Sequence, residues 1–567
     1  MRKAAVLSVL ITLASPGFAL AQSEPAETTP AMPAAAGTTT VLAPDPGAES
    51  TGLSPEAWAA ESDRSADPLP SEFRLINYFF ARASFTNQLA DPSGLRGVSL
   101  GPLGIGDNVG SATAVGPDTE NFYIEQRWIP VISYSPHFVD GLATFRAQFE
   151  IDYTWGQAAN QLQHNQGGGL NADQVNLQTK GLHVAISPLR VPAKLSVVLG
   201  TQALYDNPAD PNITSLFDIV KTGYKLAYVG TDGTGLAVYS RLGGMWKASF
   251  VPLGVGQPDK ADKGDPSAAY AYMLTTDYAY EVQPGTVIGA SLWHLRDDTE
   301  GTAFAYEGLV KSGPGSTGLF PYTGVPDFSL DAAKGSVTWV GAHFHHDIAF
   351  RTGDFAASGF VMLNSGSYKN TNKTSTLNDK LDIFGLGANL ELMWKYGRTP
   401  GDLVTLEGML TTGDDDLSDD RYTGAFTLNN YGLPGAVWFN HKTLILFPFT
   451  STVSNYTGAV TDISNRGYGL QAAILTGSRD LVPDKLNLKL GMAYAQAAVT
   501  PPPGANKVER GRTIGLEFNA ELKYHLTYLM TVGLHAGYMS PGAFYNANLA
   551  VDANPWATFT TFTWYGF

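Results

Sequence analysis

The chain contains no cysteine, few charged residues and no long uninterrupted apolar run. The absence of cysteine excludes a disulfide framework, a thiolate nucleophile and a thiolate metal site. No stretch reaches the roughly 18 consecutive apolar residues of a membrane-spanning helix, which excludes a helical membrane protein. Charged residues make up 16% of the 567 residues, and acidic residues outnumber basic ones by 52 to 36. This acidic balance argues against nucleic acid as a partner.

The first 21 residues have the pattern of a bacterial secretory signal peptide. A basic head precedes a mostly apolar run over residues 4–13, and Ala19–Ala21 is a small-x-small cleavage site. We expect cleavage before Gln22 and a destination at or beyond the periplasm. Residues 22–70 are rich in Ala, Pro, Thr, Ser and Glu and cannot bury enough apolar surface to fold alone. They predict a flexible periplasmic segment, with a tether or a partner-binding segment as the alternative.

Residues 143–155 alternate strictly between apolar and polar side chains. Because successive side chains of a strand point to opposite faces, this segment predicts a ribbon with one apolar and one wet face. It is long enough for a tilted crossing of a bilayer, which takes roughly ten residues. A soluble sheet with one exposed face would also alternate, so recurrence decides between the two. The pattern recurs at 270–282, 384–396 and 514–526, and it favours the membrane.

Eighteen such segments fit between residues 71 and 567, two of them placed at 222–230 and 235–252. We expect an all-β fold, a transmembrane antiparallel β-barrel of 16–18 strands. The connections alternate between short turns and long loops, the pattern of an outer-membrane barrel with short periplasmic turns and long extracellular loops. A membrane sheet must close, because an open edge would leave hydrogen-bonding groups unpaired in hydrocarbon. The predicted location is the bacterial outer membrane, with its lipid as one partner.

The end of the chain carries a second signal. The last predicted strand ends at Phe567, an aromatic residue on the lipid side, with Tyr565 two residues before it. This ending resembles the assembly signal of bacterial outer-membrane proteins. We therefore expect the barrel-assembly machinery to bind the Phe567 strand.

Several motifs resemble the alginate-export family of outer-membrane barrels. They are Ile514–Asn519, Gly537–Gly542 and the terminal aromatic strand, with Leu199–Asp206 and Thr412–Asp416 upstream. The resemblance implies an outer-membrane barrel that forms a pore. A pore for the polyanion alginate is expected to be electropositive, whereas the predicted inner faces mix both signs, and Thr201 stands where the family has a basic residue. The resemblance therefore extends to the fold and the pore and not to the cargo.

A barrel of this size is too wide for side chains to fill, so we expect an aqueous lumen unless a loop plugs it. The predicted function is passive diffusion or export of hydrophilic solutes, from ions and small molecules to oligosaccharide or polysaccharide, with selectivity set by inward charges. The longest loop, roughly Gly413–Arg466, is the expected gate. Reversing Glu391, Glu517 and Glu521 to Lys is expected to shift ion selectivity toward anions. The predicted lumen-lining residues are Arg146, Glu150, Asp152, Asn389, Glu391, Lys395, Glu517, Asn519, Glu521 and Lys523.

The sequence predicts no catalytic residue and no cofactor. His343, His345 and Asp347 share one face of a strand, but alternate strand residues lie about 6.6 Å apart and would have to converge to hold a transition metal. A lumen-lining role is the expected one. The acidic loop lacks the glycine and the distant Glu of an EF-hand, so we expect a solvated loop, with weak cation binding as the alternative. Its carboxylates are Asp414, Asp415, Asp416, Asp419 and Asp420.

Two other functions stay open at this stage. A hydrolase in the barrel wall would need a Ser/His or Asp/His set at the rim, and no motif in the sequence selects one. A structural or adhesive barrel would bind a partner through its long loops. Conductance in planar bilayers separates these from a pore. Monomer and trimer also stay open, because a barrel–barrel interface would use the same apolar face as the lipid surface.

Overall fold

The computed structural model describes the chain in segments, all within a compact unit that spans Val41–Phe567. The described residues are 72–90, 113–115, 120–156, 174–191, 194–203, 229–230, 232–255, 270–298, 330, 333–376, 378–426, 428–429, 443–447, 465–503, 507–527, 529–546, 551 and 553–566. The predicted signal peptide, the segment 22–70 and Phe567 lie outside them. No helix in these segments is long and apolar enough to cross a membrane.

One sheet of 19 strands contains the wall and a two-residue inner strand, Arg421–Tyr422. The wall strands are β1 (Phe73–Thr86), β2 (Asn121–Tyr134), β3 (Ala143–Gly156), β4 (Gln174–Ile186), β5 (Leu195–Ala203), β6 (Asp232–Ser240), β7 (Met245–Val255), β8 (Tyr270–Gln283), β9 (Thr286–Asp297), β10 (Ala333–His346), β11 (Phe355–Asn370), β12 (Lys380–Lys395), β13 (Leu403–Thr411), β14 (Leu470–Val482), β15 (Leu486–Gln496), β16 (Thr513–Thr527), β17 (Met530–Pro541) and β18 (Trp556–Gly566). Each wall strand pairs antiparallel with its neighbours in this order.

The wall closes between its last and first strands. β18 pairs antiparallel with β1 in a register that sets Asn77 opposite Gly566 and Thr86 opposite Ala557. At the end of this seam, Asn87 donates to the Asn554 carbonyl at 2.9 Å and accepts from the Trp556 N–H at 2.8 Å. Closure leaves no open edge in the wall, as a sheet in hydrocarbon requires. The predicted all-β barrel is therefore confirmed.

Short and long connections lie at opposite ends of the barrel, as the sequence predicted. β8 and β9 are joined by the two residues Pro284–Gly285, where Gly285 has a φ of 78°. At the other end β13 and β14 are joined by the whole stretch 412–469. Phe73 lies opposite Tyr134, so the first strand begins at the short-turn end.

The predicted strand count is right, although two assignments were wrong. The predicted segment 235–252 is two strands, β6 and β7, which reverse at a turn where Gly243 and Gly244 have φ values of 76° and 134°. The alternation continues through this turn in the same phase, so periodicity alone could not show the reversal. Within the predicted strand 222–230 only Val229–Gly230 is described, and it pairs with Leu428–Asn429 outside the wall. The two errors cancel in the count.

The two faces of the wall differ as the alternation predicted. Leu390, Leu392 and Trp394 on β12 are exposed on the outer face, whereas Asn389 and Glu391, which alternate with them, are buried inside. One position was assigned wrongly. A register shift between Ala495 and Gln496 turns Ile514 inward, although its sequence position placed it on the outer face.

An apolar cluster occupies part of the interior, toward the long-loop end. We call it the inner cluster, and it joins wall residues to residues of the longest loop. Trp293 and Trp339 lie opposite each other on β9 and β10 and are fully buried. Other members are Met362 and Ile383 of the wall and Tyr422, Phe426, Leu444, Ile445, Leu446 and Phe447 of the loop. The sequence had predicted a polar lining, but the interior also contains this apolar cluster.

Candidate channel interior and its inward-folded loop

The predicted lumen residues whose side chains are described all lie on the inner face. Arg146, Asn389, Glu391, Glu517, Asn519 and Glu521 are buried there. Lys395 and Lys523 keep 20% and 33% of their side chains exposed. Glu150 and Asp152 belong to β3, but their side chains lie outside the description, so their role stays a prediction.

The described residues of the longest loop are attached to the inner wall at two places. The first attachment uses the free end of β12, which extends beyond the last β13 pair, Gly387 with Thr411. There Arg421 and Tyr422 run parallel to β12, opposite Asp382 and Ile383. The loop thereby supplies backbone partners to a strand segment that its neighbour β13 leaves uncovered.

Two wall side chains secure this first attachment. The Trp339 indole donates to the Phe426 carbonyl at 2.9 Å, and the two rings lie 6.2 Å apart. The Asn364 side chain accepts from the Phe426 N–H at 3.2 Å. Buried tryptophan and asparagine need such partners, since an unpaired buried polar group is costly. The contacts explain why Trp339 tolerates an inward position.

The second attachment is made by Glu517 on β16. Its carboxylate accepts the backbone N–H groups of Leu444, Ile445 and Leu446 at 2.7, 3.1 and 2.5 Å. The Asn519 amide donates a fourth hydrogen bond at 2.9 Å. Glu517 is fully buried. It therefore faces inward as predicted but is covered by the loop, and it does not contact the open lumen.

Glu521 is the centre of a buried ionic network on β15–β18. Lys489 forms a salt bridge with it, and the Lys523 ammonium lies 3.8 Å away. His535 Nδ1 lies 2.8 Å from the same carboxylate, and its Nε2 lies 3.0 Å from the Thr561 hydroxyl. Glu521 and His535 are each 1% exposed. Like Glu517, Glu521 is sealed from the lumen.

An aromatic ring extends this network toward β1. The Phe559 ring stacks on His535 with centroids 4.6 Å apart, and the Arg82 guanidinium lies 5.2 Å from the Phe559 centroid. The stacked ring thus separates a buried arginine from the histidine. Sequence reasoning missed Arg82, His535 and Thr561, since only the register of β16, β17, β18 and β1 brings them to Glu521.

Further acidic groups lie on the inner face of β8, β12 and β13. Glu391 on β12 lies directly opposite Glu407 on β13, and the Asn389 amide donates to Glu407 at 2.6 Å. Asp277 on β8 accepts from Ser291 at 2.5 Å and from the Trp293 indole at 3.0 Å. The inner face therefore carries both signs of charge, with Lys489, Lys523 and Arg82 around Glu521 and with Lys395 on the same strand as Glu391.

The predicted metal candidates are not assembled into a centre. Among the residues that the structure describes, no group of three or more His, Asp or Glu side chains could hold a metal ion. Asp347 instead lies in the turn after β10, where it accepts the N–H groups of Arg351, Thr352 and Gly353. Its carboxylate thus points away from a joint site with His343 and His345, which stay on the wall.

The acidic loop uses its carboxylates locally. Asp414 accepts from the N–H groups of Asp416 and Thr423, and Asp419 accepts from the Arg421 N–H. Burial, together with the neighbouring carboxylates of Asp419 and Asp415, raises the pKa of Asp414. These bonds shape the entry of the loop into the barrel. Weak cation binding by this loop stays a prediction.

Comparisons with known proteins give structural likenesses at low identity. No protein-family model and no curated protein matches this chain. OccAB1 of Acinetobacter baumannii is 11% identical with a TM-score of 0.44, over 87% of this chain and 96% of its own. OccAB4 of the same species gives 10% and 0.42, over 88% and 98%. OpdK, an outer-membrane protein of Pseudomonas aeruginosa, gives 12% and 0.42, over 87% and 98%. The fold assignment rests on the strand pairing of this chain itself.

Proposed function

We propose that the chain is an outer-membrane channel through which small hydrophilic solutes diffuse passively. One observation carries the proposal: a closed wall is apolar outside and holds ionic groups inside. Such a wall is soluble in lipid on one face and in water on the other. The longest loop narrows the interior from the long-loop end, so the proposed solutes are ions and small molecules rather than polymers.

Conductance in planar bilayers tests this proposal. We expect discrete open-state currents from the purified chain, and solute uptake into liposomes that falls with solute size. Uptake of neutral, anionic and cationic solutes of matched size then gives the charge preference. A barrel that inserts without currents and without uptake would overturn the proposal.

The hydrolase alternative has one geometric candidate. Thr561, His535 and Glu521 form a hydroxyl–imidazole–carboxylate chain of the kind that serine hydrolases use. However, Glu521 is already paired with Lys489, and Glu521 and His535 are sealed from water. We therefore assign these three residues, Thr561, His535 and Glu521, a structural role. Ester or lipid hydrolysis that disappears in Thr561→Val would favour the enzyme instead.

The finer family and partner assignments also belong to the proposal. The motifs near Ile514 and Gly537 support a pore of the alginate-export type, while the mixed charge of the inner face does not support alginate as its solute. The terminal aromatic strand supports assembly by the barrel-assembly machinery. Loop-mediated adhesion would require binding through the long-loop end, and a channel without partner binding in pull-down on intact cells would count against it.

A further inference from the structure

We propose that Glu517 is a latch: its carboxylate holds the loop segment Leu444–Leu446 against the inner wall and so sets the width of the channel. The effect on channel width rests on the proposed channel function, whereas the contacts between Glu517 and the loop segment do not. In this role Glu517 is a positioning residue, and passing ions do not meet its charge. It would therefore govern which solutes fit rather than which sign of ion passes.

The binding geometry is that of an anion held by successive backbone N–H groups. Three consecutive N–H groups, those of Leu444, Ile445 and Leu446, converge on the two oxygens of one carboxylate. Such runs of N–H groups form concave sites for anions, and hydrogen bonds to a charged acceptor are stronger than neutral ones. Thr443 joins the two ends of this turn, because its hydroxyl accepts the Phe447 N–H at 3.3 Å. The loop thus presents a preformed receptor, and the wall presents the anion.

Two glycines leave room in the wall here, Gly537 for the loop segment itself and Gly491 for the Asn519 side chain that donates to Glu517. Gly491 on β15 and Gly537 on β17 flank Asn519 in the register of the sheet. A Cβ at Gly537 would lie 3.1 Å from Ile445 Cδ1 and 3.2 Å from Leu444 Cβ. A side chain there would therefore displace the segment. The bare wall at Gly537 and the carboxylate at Glu517 together form a seat for one loop segment.

The two loop attachments lie far apart on the wall. The first spans β10–β12 and the second lies on β16, four strands beyond β12. The first attachment is backbone pairing together with aromatic packing, whereas the second combines the apolar packing of Leu444–Phe447 in the inner cluster with hydrogen bonds to the Glu517 carboxylate. Loss of Glu517 would therefore remove these hydrogen bonds and let the second attachment open more often, while the first still holds the loop inside the barrel.

Cysteine labelling tests the latch directly, because the chain has no native cysteine. In an Ile445→Cys variant the new thiol lies at a position that is 2% exposed. We expect a membrane-impermeant maleimide to label it slowly in the full-length protein. Adding Glu517→Gln should raise the labelling rate by about tenfold or more, the change in a local opening equilibrium when hydrogen bonds to a charged acceptor are lost. Single-channel conductance should rise in the same variant.

Two further variants keep the test independent of one substitution. Gly537→Val leaves the carboxylate intact and should raise labelling as well, since its side chain occupies the seat. Glu391→Gln removes the same charge from β12, four strands away, and should leave the labelling of Cys at position 445 at its parent rate. Circular dichroism and heat-modifiable gel migration confirm that each barrel is folded.

The outcomes separate the latch from the channel. Equal labelling with and without Glu517→Gln overturns the latch, whatever the conductance. Faster labelling in both Glu517→Gln and Gly537→Val, but not in Glu391→Gln, supports it. If labelling changes as expected while no variant conducts, the latch stands and the proposed channel function fails.

Discussion

The buried charges inside the barrel stabilise the wall and position the longest loop, and they have little direct contact with the lumen. Glu517 and Glu521 were predicted to line the lumen, yet one is covered by a loop and the other by a ring of basic side chains. Charge reversal at either would disturb packing, so it would not isolate an effect on ion selectivity. The buried carboxylates are therefore best tested by stability or loop position, and the exposed lysines by ion selectivity.

Glu521 offers a stability test. Glu521→Gln leaves Lys489, whose side chain is 16% exposed, without its salt bridge to a buried carboxylate; breaking a fully buried pair on one side costs about 3–5 kcal/mol, which is the upper bound here. We expect the free energy of unfolding in urea to fall by up to that amount. The double variant Glu521→Gln/Lys489→Met should recover part of the loss, because the partly buried Lys489 charge is then no longer left without its carboxylate partner. A loss no greater than that of Glu391→Gln would contradict the central role of Glu521.

Lys523 is a better probe of selectivity than the buried glutamates. A third of its side chain is exposed on the inner face. Lys523→Gln removes a fixed positive charge there, so we expect the reversal potential in a salt gradient to move toward cation selectivity. The shift should shrink as ionic strength rises, because salt screens exposed charges. A reversal potential unchanged at low salt would place Lys523 away from the ion path.

At the scale of single elements, a strand end binds the longest loop and one short turn is held by a carboxylate. The part of β12 that extends past β13 receives the loop, and the turn after β10 is organised by Asp347. Asp347 has a φ of 45°, a conformation that asparagine also adopts readily. Burial works to raise the pKa of Asp347, but hydrogen bonds from Thr352, Arg351 and Gly353 outweigh it and hold the pKa below its ordinary value.

The Asp347 turn gives a pH-dependent prediction. A carboxyl with a lowered folded-state pKa stabilises the protein above its ordinary pKa, and this contribution fades as the pH falls through the folded value. Asp347→Asn keeps the backbone conformation and removes the charge. We expect it to lower the free energy of unfolding by about 1–2 kcal/mol at neutral pH and by less below about pH 4. Asp484→Asn, at another turn position with a φ of 55°, is the matched control. A pH-independent difference would contradict the assignment.

At the scale of the molecule, the barrel wall closes without the longest loop, and the inner cluster forms only with it. β13 and β14 pair directly, with Thr411 opposite Leu470, although the whole long loop lies between them. The wall therefore does not need the loop in order to close. The inner cluster, by contrast, needs the loop, because Trp339 and its neighbours would otherwise face water inside the barrel.

Removing the loop tests this division. Replacing residues 413–468 by a short Gly-containing turn should leave a folded barrel, since two to five residues suffice for a hairpin. We expect a higher conductance and a larger solute size limit in liposomes. We also expect a lower urea midpoint, because the apolar face of the inner cluster becomes exposed. Unchanged conductance would show that this loop does not form the constriction.

Sequence patterns reached far into this fold because a membrane wall imposes a period of two on every strand. The outer residues of β12, the short-turn and long-loop rhythm and the inward direction of Asn389 or Lys395 all follow from that period. It failed where the backbone departs from it. The turn at Gly243–Gly244 keeps the phase, and the register shift near Gln496 changes the face of Ile514.

The sequence by itself determined that the chain forms a closed antiparallel barrel and which side chains point inward, because alternation is a local property of each strand. Only the tertiary structure decided which inward side chains meet water. Glu517 and Glu521 have the same alternation as Lys523, yet the first is covered by Leu444–Leu446 and the second by Lys489 and His535. Those contacts depend on where a distant loop docks and on the register of four strands, and neither is written in the local pattern.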